Sequence, residues 1–99
     1  MELEDFLKRG AHALGFEVED LRSRRRHPAI VEAREILAWL GVELYGFTVK
    51  GLAEMLDKHL VTASRLVGRA GLRRVKDDGY RATIKRVDSV ISGAPQRVR

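Results

Sequence analysis

The stretch from residue 29 to residue 46, AIVEAREILAWLGVELYG, constrains the fold most, because its apolar residues recur with the 3.6-residue period of an α-helix. Pro28 stands just before it, where the first residue of a helix tolerates proline, and Gly46 is expected to end it. A stripe this broad predicts the central helix of a core, with Trp39 and Tyr45 at its edges. The stripe consists of Ile30, Val31, Ala33, Ile36, Leu37, Leu40 and Leu44.

Shorter helical patterns flank this segment. Acidic residues at the start of the first pattern favour the helix dipole, and Gly15 is suited to end it. Thr48 is a good N-cap for the helix that follows Gly46, and a break is expected near residues 57–59. The patterns predict an all-α fold, a compact bundle of five to six helices. They span residues 2–15 (ELEDFLKRGAHALG), 16–23 (FEVEDLRS), 49–58 (VKGLAEMLDK) and 60–71 (LVTASRLVGRAG).

Residues 72–92, LRRVKDDGYRATIKRVDSVIS, allow two interpretations. In a hairpin, the pair Asp78-Gly79 would form the turn between two basic strands, a possible wing. In a helix, Asp77 or Asp78 would be the cap, and the apolar positions 80, 84, 87 and 91 would share one face. The helical pattern is longer and better matched, so we favour the helix. One domain is expected over residues 1–92, with a disordered tail over residues 93–99.

The charge distribution indicates a polyanionic partner. The 99 residues carry a net charge of +5, and 44% of them are hydrophobic, enough for one modest core. Residues 1–20 hold six acidic and two basic residues, a balance of −4, which leaves +9 on the rest. Nucleic acid is the usual partner of such a chain, and the alternative is a soluble protein that is basic without binding a polyanion. The chain has no cysteine, no apolar run of about 20 residues and no signal-like N-terminus, so we expect a soluble cytoplasmic protein that does not enter membranes.

The most basic stretch is RSRRRHPAI, residues 22–30. Alone it could be a flexible tail, a solvated surface or a loop that grips an anion. Its place before the long helix favours a loop, because Pro28 and Ile30 would anchor its far end to the core. We therefore expect its arginines on a tethered loop that could contact DNA.

A helix-turn-helix pattern is found in residues 47–69, FTVKGLAEMLDKHLVTASRLVGR. Leu52 and Leu56 would face inward from the first helix, and Ala53 is small enough for a close helix crossing. Asp57 occupies the turn position that usually requires a positive φ, which aspartate adopts more readily than most residues. Ala63 and Leu66 would form the inward pair of the second helix.

The polar residues of this motif would then face outward. Hydroxyl groups and arginines at these positions suit contacts with phosphates and with base edges in the major groove. The predicted contacts are Lys58 and His59 in the turn, and Thr62, Ser64, Arg65 and Arg69 on the second helix.

The order of these elements resembles the C-terminal DNA-binding domain of the bacterial chromosomal replication initiator DnaA. It is more similar still to the DnaA-like domain of the REP-associated tyrosine transposases. The resemblance covers roughly residues 11–90. It rests on VEDL and S-x-R-R in residues 18–26, on the Ala33-Arg34 pair, on the capped helix after Thr48, and on SRLV at residues 64–67.

The resemblance implies a Trp-repressor-like fold in which a basic loop reaches the minor groove while a helix-turn-helix reads the major groove. It assigns the loop contacts to Arg24, Arg25 and Arg26, and the start of the recognition helix to residues 59–62, followed by Ser64 and Arg65. The initiator's Asp-His-Thr-Thr-Val signature is replaced by HLVTA, residues 59–63. The chain also has no Walker-type glycine loop and no paired histidines with a nuclease tyrosine, so the resemblance implies only the DNA-binding part of such a protein.

An enzymatic function is not expected. His12, His27 and His59 have no metal-ligand spacing, and no serine has evident triad partners. We therefore expect no catalytic residue, metal site, cofactor or small-molecule substrate. The alternative is a protein–protein interaction module that binds an acidic partner, or whose acidic first helix packs on other domains of a longer parent protein. RNA binding is disfavoured because only six residues are aromatic.

Overall fold

The computed structural model describes residues 1–93, which form six α-helices joined by short connections. These residues contain no β-strand. The predicted all-helical bundle is therefore confirmed, and the alternative hairpin over residues 72–92 is wrong. The predicted disordered tail lies outside the described residues except for Gly93. The helices are α1 (Leu3–Ala13), α2 (Val18–Arg22), α3 (Pro28–Glu43), α4 (Val49–Met55), α5 (Leu60–Lys76) and α6 (Asp78–Ser92).

Helix α3 is the centre of the core, as its sequence predicts. Five residues of its apolar stripe are buried, whereas Leu44 is 56% exposed. The inclusion of Leu44 in the stripe was wrong because α3 ends at Glu43, so Leu44 follows the last helical turn. Trp39 and Tyr45 pack against the core from its edges. All six helices or their caps supply buried apolar side chains, among them Phe6, Leu7, Leu21, Leu52, Leu56, Ala70, Ile84, Val87 and Ile91.

The radius of gyration, 12.6 Å, matches the value of about 13 Å typical of a 100-residue domain.

Close packing depends on glycine where α1 crosses α3. A Cβ atom on Gly10 would lie 2.2 Å from Leu37 Cδ2 and 3.3 Å from Ile91 Cδ1. Gly10 weakens α1 as a helix but allows it to approach α3 and α6.

Side chains cap several helices. Thr48 Oγ1 accepts a hydrogen bond from the Gly51 amide at the start of α4, as predicted. Asp77 Oδ1 accepts one from the Tyr80 amide and begins α6, so the first of the two predicted α6 caps is the one used. These caps satisfy amide groups that have no acceptor within their helices.

Helices α4 and α5 pack against each other and are joined by residues 56–59. Asp57 has a φ of 55°, the only positive φ of a non-glycine residue in the described chain, which agrees with the turn predicted there. Helix α5 then continues through two glycines to Lys76, beyond the segment that its sequence pattern outlines.

Polar contacts also connect α3, α5 and α6. The hydroxyl of Tyr80 donates to the buried Glu35 at 3.1 Å, and burial raises the pKa of Tyr80 further than the neighbouring Glu35 does. Arg73 lies over the Tyr80 ring, 4.3 Å from its centroid, and pairs with Glu32 at 2.9 Å. These contacts fix α5 relative to the core.

Candidate functional site

The candidate site is a groove of about 530 Å³ between the connection that follows α2 and the first half of α5. We call it the basic groove, because six of its twelve lining residues are arginine or lysine and only one, Asp57, is acidic. It brings together residues that lie more than 30 positions apart in the sequence. The lining residues are Ser23, Arg24, Arg26, Val31, Arg34, Asp57, Lys58, His59, Thr62, Arg65, Leu66 and Arg69.

One wall of the basic groove is the arginine loop, residues 23–27. Arg34, on α3, lies beneath this loop and is 5% exposed. Its Nε donates to the carbonyl oxygen of Leu21 at 2.8 Å, and its Nη1 donates to that of Arg25 at 2.7 Å. Its Nη2 donates to the carbonyls of Ser23 at 2.7 Å and Asp20 at 3.2 Å. Burial lowers the pKa of Arg34, and these four carbonyl contacts compensate for the lost hydration of its charge.

Lys58 holds the same loop from the turn between α4 and α5. Its Nζ donates to the carbonyl oxygens of Ser23 at 2.8 Å and Arg22 at 3.1 Å. Burial lowers its pKa, and the positive charge of Arg34 lowers it further. The sequence predicts that Lys58 faces DNA, and the structure directs its ammonium group toward the loop backbone.

The three arginines of the loop are not equivalent. The Arg24 and Arg26 side chains line the basic groove, and no hydrogen bond or ion pair within residues 1–93 engages their guanidinium groups. Arg25 instead pairs with Asp20, the two side chains being 3.3 Å apart, and is absent from the groove lining. Two of the three predicted loop contacts are therefore directed toward the groove.

Anchoring of the loop differs from the sequence-based expectation. Ile30 is fully buried, as expected, but Pro28 is exposed. At the far end of the loop His27 Nδ1 accepts a hydrogen bond from the Ala29 amide at 3.2 Å and caps α3. The chief anchors are Arg34 and Lys58, which bind the loop carbonyls.

The other wall of the basic groove is α5. Thr62, Arg65 and Arg69 are exposed and line the groove, and Ser64 is exposed on the same helix but outside the lining. The side chains of Arg65 and Arg69 have no intramolecular ion pair among the described residues. All four of these residues face solvent, as the sequence predicts.

His59 is the N-cap residue of α5, and its side chain makes no capping hydrogen bond. The amides of the first helical turn have no intrahelical acceptor, so they and the helix dipole favour an anion at this end. His59 lines the groove beside these amides. The first turn of α5 contains no acidic residue that would oppose an anionic ligand.

Two features of the site were not predicted from the sequence. Leu60 and Val61, in the first turn of α5, are 52% and 56% exposed. Their direction was not predicted, although the helical phase set by the inward pair Ala63 and Leu66 places them outward. The role of Arg34 was also missed, although a charged residue within an apolar stripe is a signal that it has buried polar partners.

No family model matches the chain, and no curated protein matches its sequence. No helix in the described part of the chain is long and apolar enough to cross a bilayer. Residues 1–93 contain no group of three or more metal-ligating side chains that could hold a metal ion.

Proposed function

We propose that this protein is a sequence-specific double-stranded DNA-binding domain. In this proposal α4, the turn and α5 act as a helix-turn-helix with α5 in the major groove, and the arginine loop contacts the adjacent backbone or minor groove. One observation carries the proposal: free arginines from two separate elements converge on one groove. Arg24 and Arg26 come from the loop, and Arg65 and Arg69 come from α5.

The charge of α5 supports this orientation. Its 17 residues include four arginines and one lysine and no acidic residue. Helix α5 also presents hydroxyl groups and apolar side chains in its first two turns, the range of chemistry that base edges require. Because the sequence resembles replication initiators and REP-associated transposases, we also propose that this chain is the DNA-binding part of a protein of one of these two kinds. Chromosomal DNA as the partner would place the protein in the bacterial cytoplasm.

Salt dependence provides the first test. If the four free arginines of the groove each neutralise one phosphate, the logarithm of the binding constant should fall with the logarithm of salt concentration with a slope of about −3.6. Between 50 and 200 mM salt, binding should weaken roughly 150-fold. Fluorescence anisotropy with a labelled duplex measures this slope. A slope near zero would exclude phosphate contacts by the groove.

Sequence specificity requires a separate test. Selection of bound duplexes from a random pool should enrich one motif, which then serves as the cognate site. Arg65→Ala should reduce the preference for the cognate over a random duplex by about 1–3 kcal/mol, because arginine can bind guanine through two hydrogen bonds. The double variant Arg24→Ala/Arg26→Ala should weaken binding to both the cognate and the random duplex. It should also make the slope of the binding constant against salt concentration shallower by about 1.8.

Lys85→Ala is the matched control for these substitutions. Lys85 is exposed on α6, which contributes no residue to the basic groove, and its replacement removes one positive charge. It should leave cognate preference unchanged. Equal losses on cognate and random duplexes for Arg65→Ala would contradict the assignment of base contacts to α5.

A protein–protein interaction module is the second candidate function. It is favoured by Leu72 and Val75, which are 70% and 67% exposed on the last turns of α5, away from the groove lining. An acidic partner could use the basic residues beside them. If the random pool yields no enriched duplex and the salt slope is near zero, this function becomes the better explanation.

A further inference from the structure

Arg34 and Lys58 bind the arginine loop mainly through its backbone carbonyls, and the one side-chain contact is a 3.5 Å hydrogen bond from Arg34 Nη2 to Ser23 Oγ. Arg34 reaches the loop from α3, and Lys58 reaches it from the turn that precedes α5. The two cations share one acceptor, because both donate to the Ser23 carbonyl oxygen, each at 2.7–2.8 Å. We call this pair of side chains the loop clamp.

The contacts of Lys58 join segments that are 35 and 36 residues apart in the sequence. They connect the loop to the residue that stands two positions before the first residue of α5. The position of Arg24 and Arg26 relative to Arg65 is therefore set in part by a direct contact between the loop and the turn that leads into α5, and not by the core alone.

We propose that Lys58 is a positioning residue that couples the arginine loop to α5, so that the two DNA-contacting elements bind as one preformed unit. This inference rests on the proposed function. The sequence position of Lys58 suggests a DNA contact. In this proposal Lys58 instead joins the two elements that contact DNA, the arginine loop and α5. Arg34 supports the link by holding the loop backbone in one conformation.

Preorganisation should affect affinity. A loop that is disordered in the free protein must be ordered on binding, and ordering a single residue costs enough to reduce affinity about tenfold. The clamp removes this loss because the loop is already ordered. Replacement of Lys58 should therefore weaken DNA binding without removing any contact to DNA.

Lys58→Met tests the inference, since methionine keeps most of the side-chain length and removes the ammonium group. Backbone amide order parameters from NMR relaxation should fall in the free protein from about 0.85 to below about 0.6 at Ser23 and Arg24, next to the carbonyls that Lys58 binds, whereas Arg25 keeps its contact with Arg34. The rest of the chain and the melting temperature should change little. Lys58→Arg, which retains a charged donor, should restore order to the loop.

Binding measurements separate a link from a direct contact. Lys58→Met should lower affinity for the selected duplex about tenfold, but less than about twofold when Arg24→Ala/Arg26→Ala is already present, because a loop without these arginines has nothing to position. The salt slope should stay within measurement error of the unmodified protein. Lys85→Met is the matched control. It should have the same small effect on DNA affinity with and without Arg24→Ala/Arg26→Ala, and it should leave the loop ordered.

A different pattern would overturn the inference. If Lys58 contacts a phosphate, Lys58→Met should reduce the salt slope by about 0.9 in both backgrounds, with loop order parameters unchanged. If the unmodified protein binds no duplex, the proposed function fails, and the order parameters alone still decide whether Lys58 holds the loop. If Lys58→Met unfolds the protein, the same measurements on Lys58→Gln decide it.

Discussion

Replacement of Gly10 by alanine should destabilise the protein even though alanine is the better helix former. The substitution gains about 1 kcal/mol of helix propensity in the middle of α1. Against this gain, the new Cβ would lie 2.2 Å from Leu37 Cδ2, 3.2 Å from Leu37 Cδ1 and 3.3 Å from Ile91 Cδ1. Leu37 is fully buried, so its methyl groups have no solvent to move into.

The magnitude follows from these contacts. Overpacking a dense core, including the side chains that it forces off their rotamers, costs about 1–3 kcal/mol, and a contact of 2.2 Å belongs to the upper half of this range. After the propensity gain of about 1 kcal/mol, the free energy of unfolding should fall by about 1–2 kcal/mol. For a chain of this size, the melting temperature should drop by about 4–16 °C.

Gly68→Ala is the matched control, because it makes the same chemical change within a helix. A Cβ on Gly68 meets no atom within 4 Å, so only the propensity term remains. The free energy of unfolding should rise by about 1 kcal/mol. Urea unfolding followed by circular dichroism measures both variants. A Gly10→Ala protein as stable as the unmodified protein would refute the tight packing of α1 on α3.

Two further substitutions test other contacts. The Tyr45 hydroxyl donates to Asp88 Oδ1 at 2.7 Å, and burial, followed by the hydrogen bond and charge of Asp88, raises its pKa to about 12. Because this folded-state pKa exceeds the unfolded value of about 10, the stabilisation is complete below pH 10 and is lost as the pH rises toward 12. The difference in urea midpoint between the unmodified protein and Tyr45→Phe should shrink over that range, and a constant difference would contradict the assignment. Val61 is exposed where α5 would enter the major groove, so one thymine-to-uracil change in the selected duplex should weaken binding, and Val61→Ala should reduce this sensitivity. Equal sensitivity in both proteins would exclude contact between Val61 and a thymine methyl group.

The helices could be predicted from the sequence because each buries one periodic face. In α6 the positions 80, 84, 87 and 91 are all buried, as the spacing indicates. The same reasoning explains why the hairpin fails: a strand would place alternate residues on opposite faces and expose part of this set. The outward direction of Thr62 and Arg65 also followed from the inward pair Ala63 and Leu66.

The partners of individual cations could not be predicted in this way. Lys58 and the Ser23 carbonyl are 35 residues apart, and only the folded chain brings them together. Three consecutive arginines occupy residues 24–26, and nothing in their sequence distinguishes them, yet only Arg25 pairs with Asp20. Periodicity fixes which face of a helix is buried, but it carries no information about contacts to loop carbonyls.

The way the arginine loop is anchored has a consequence for its charge. A carboxylate that held the loop through its arginines would neutralise the positive potential of the groove. The loop is held instead by cations that donate to carbonyl oxygens, so anchoring adds positive charge to the groove and consumes none. The exception, Arg25 with Asp20, lies outside the groove lining. Asp57 is the one carboxylate in the groove lining, so the groove keeps most of its positive charge.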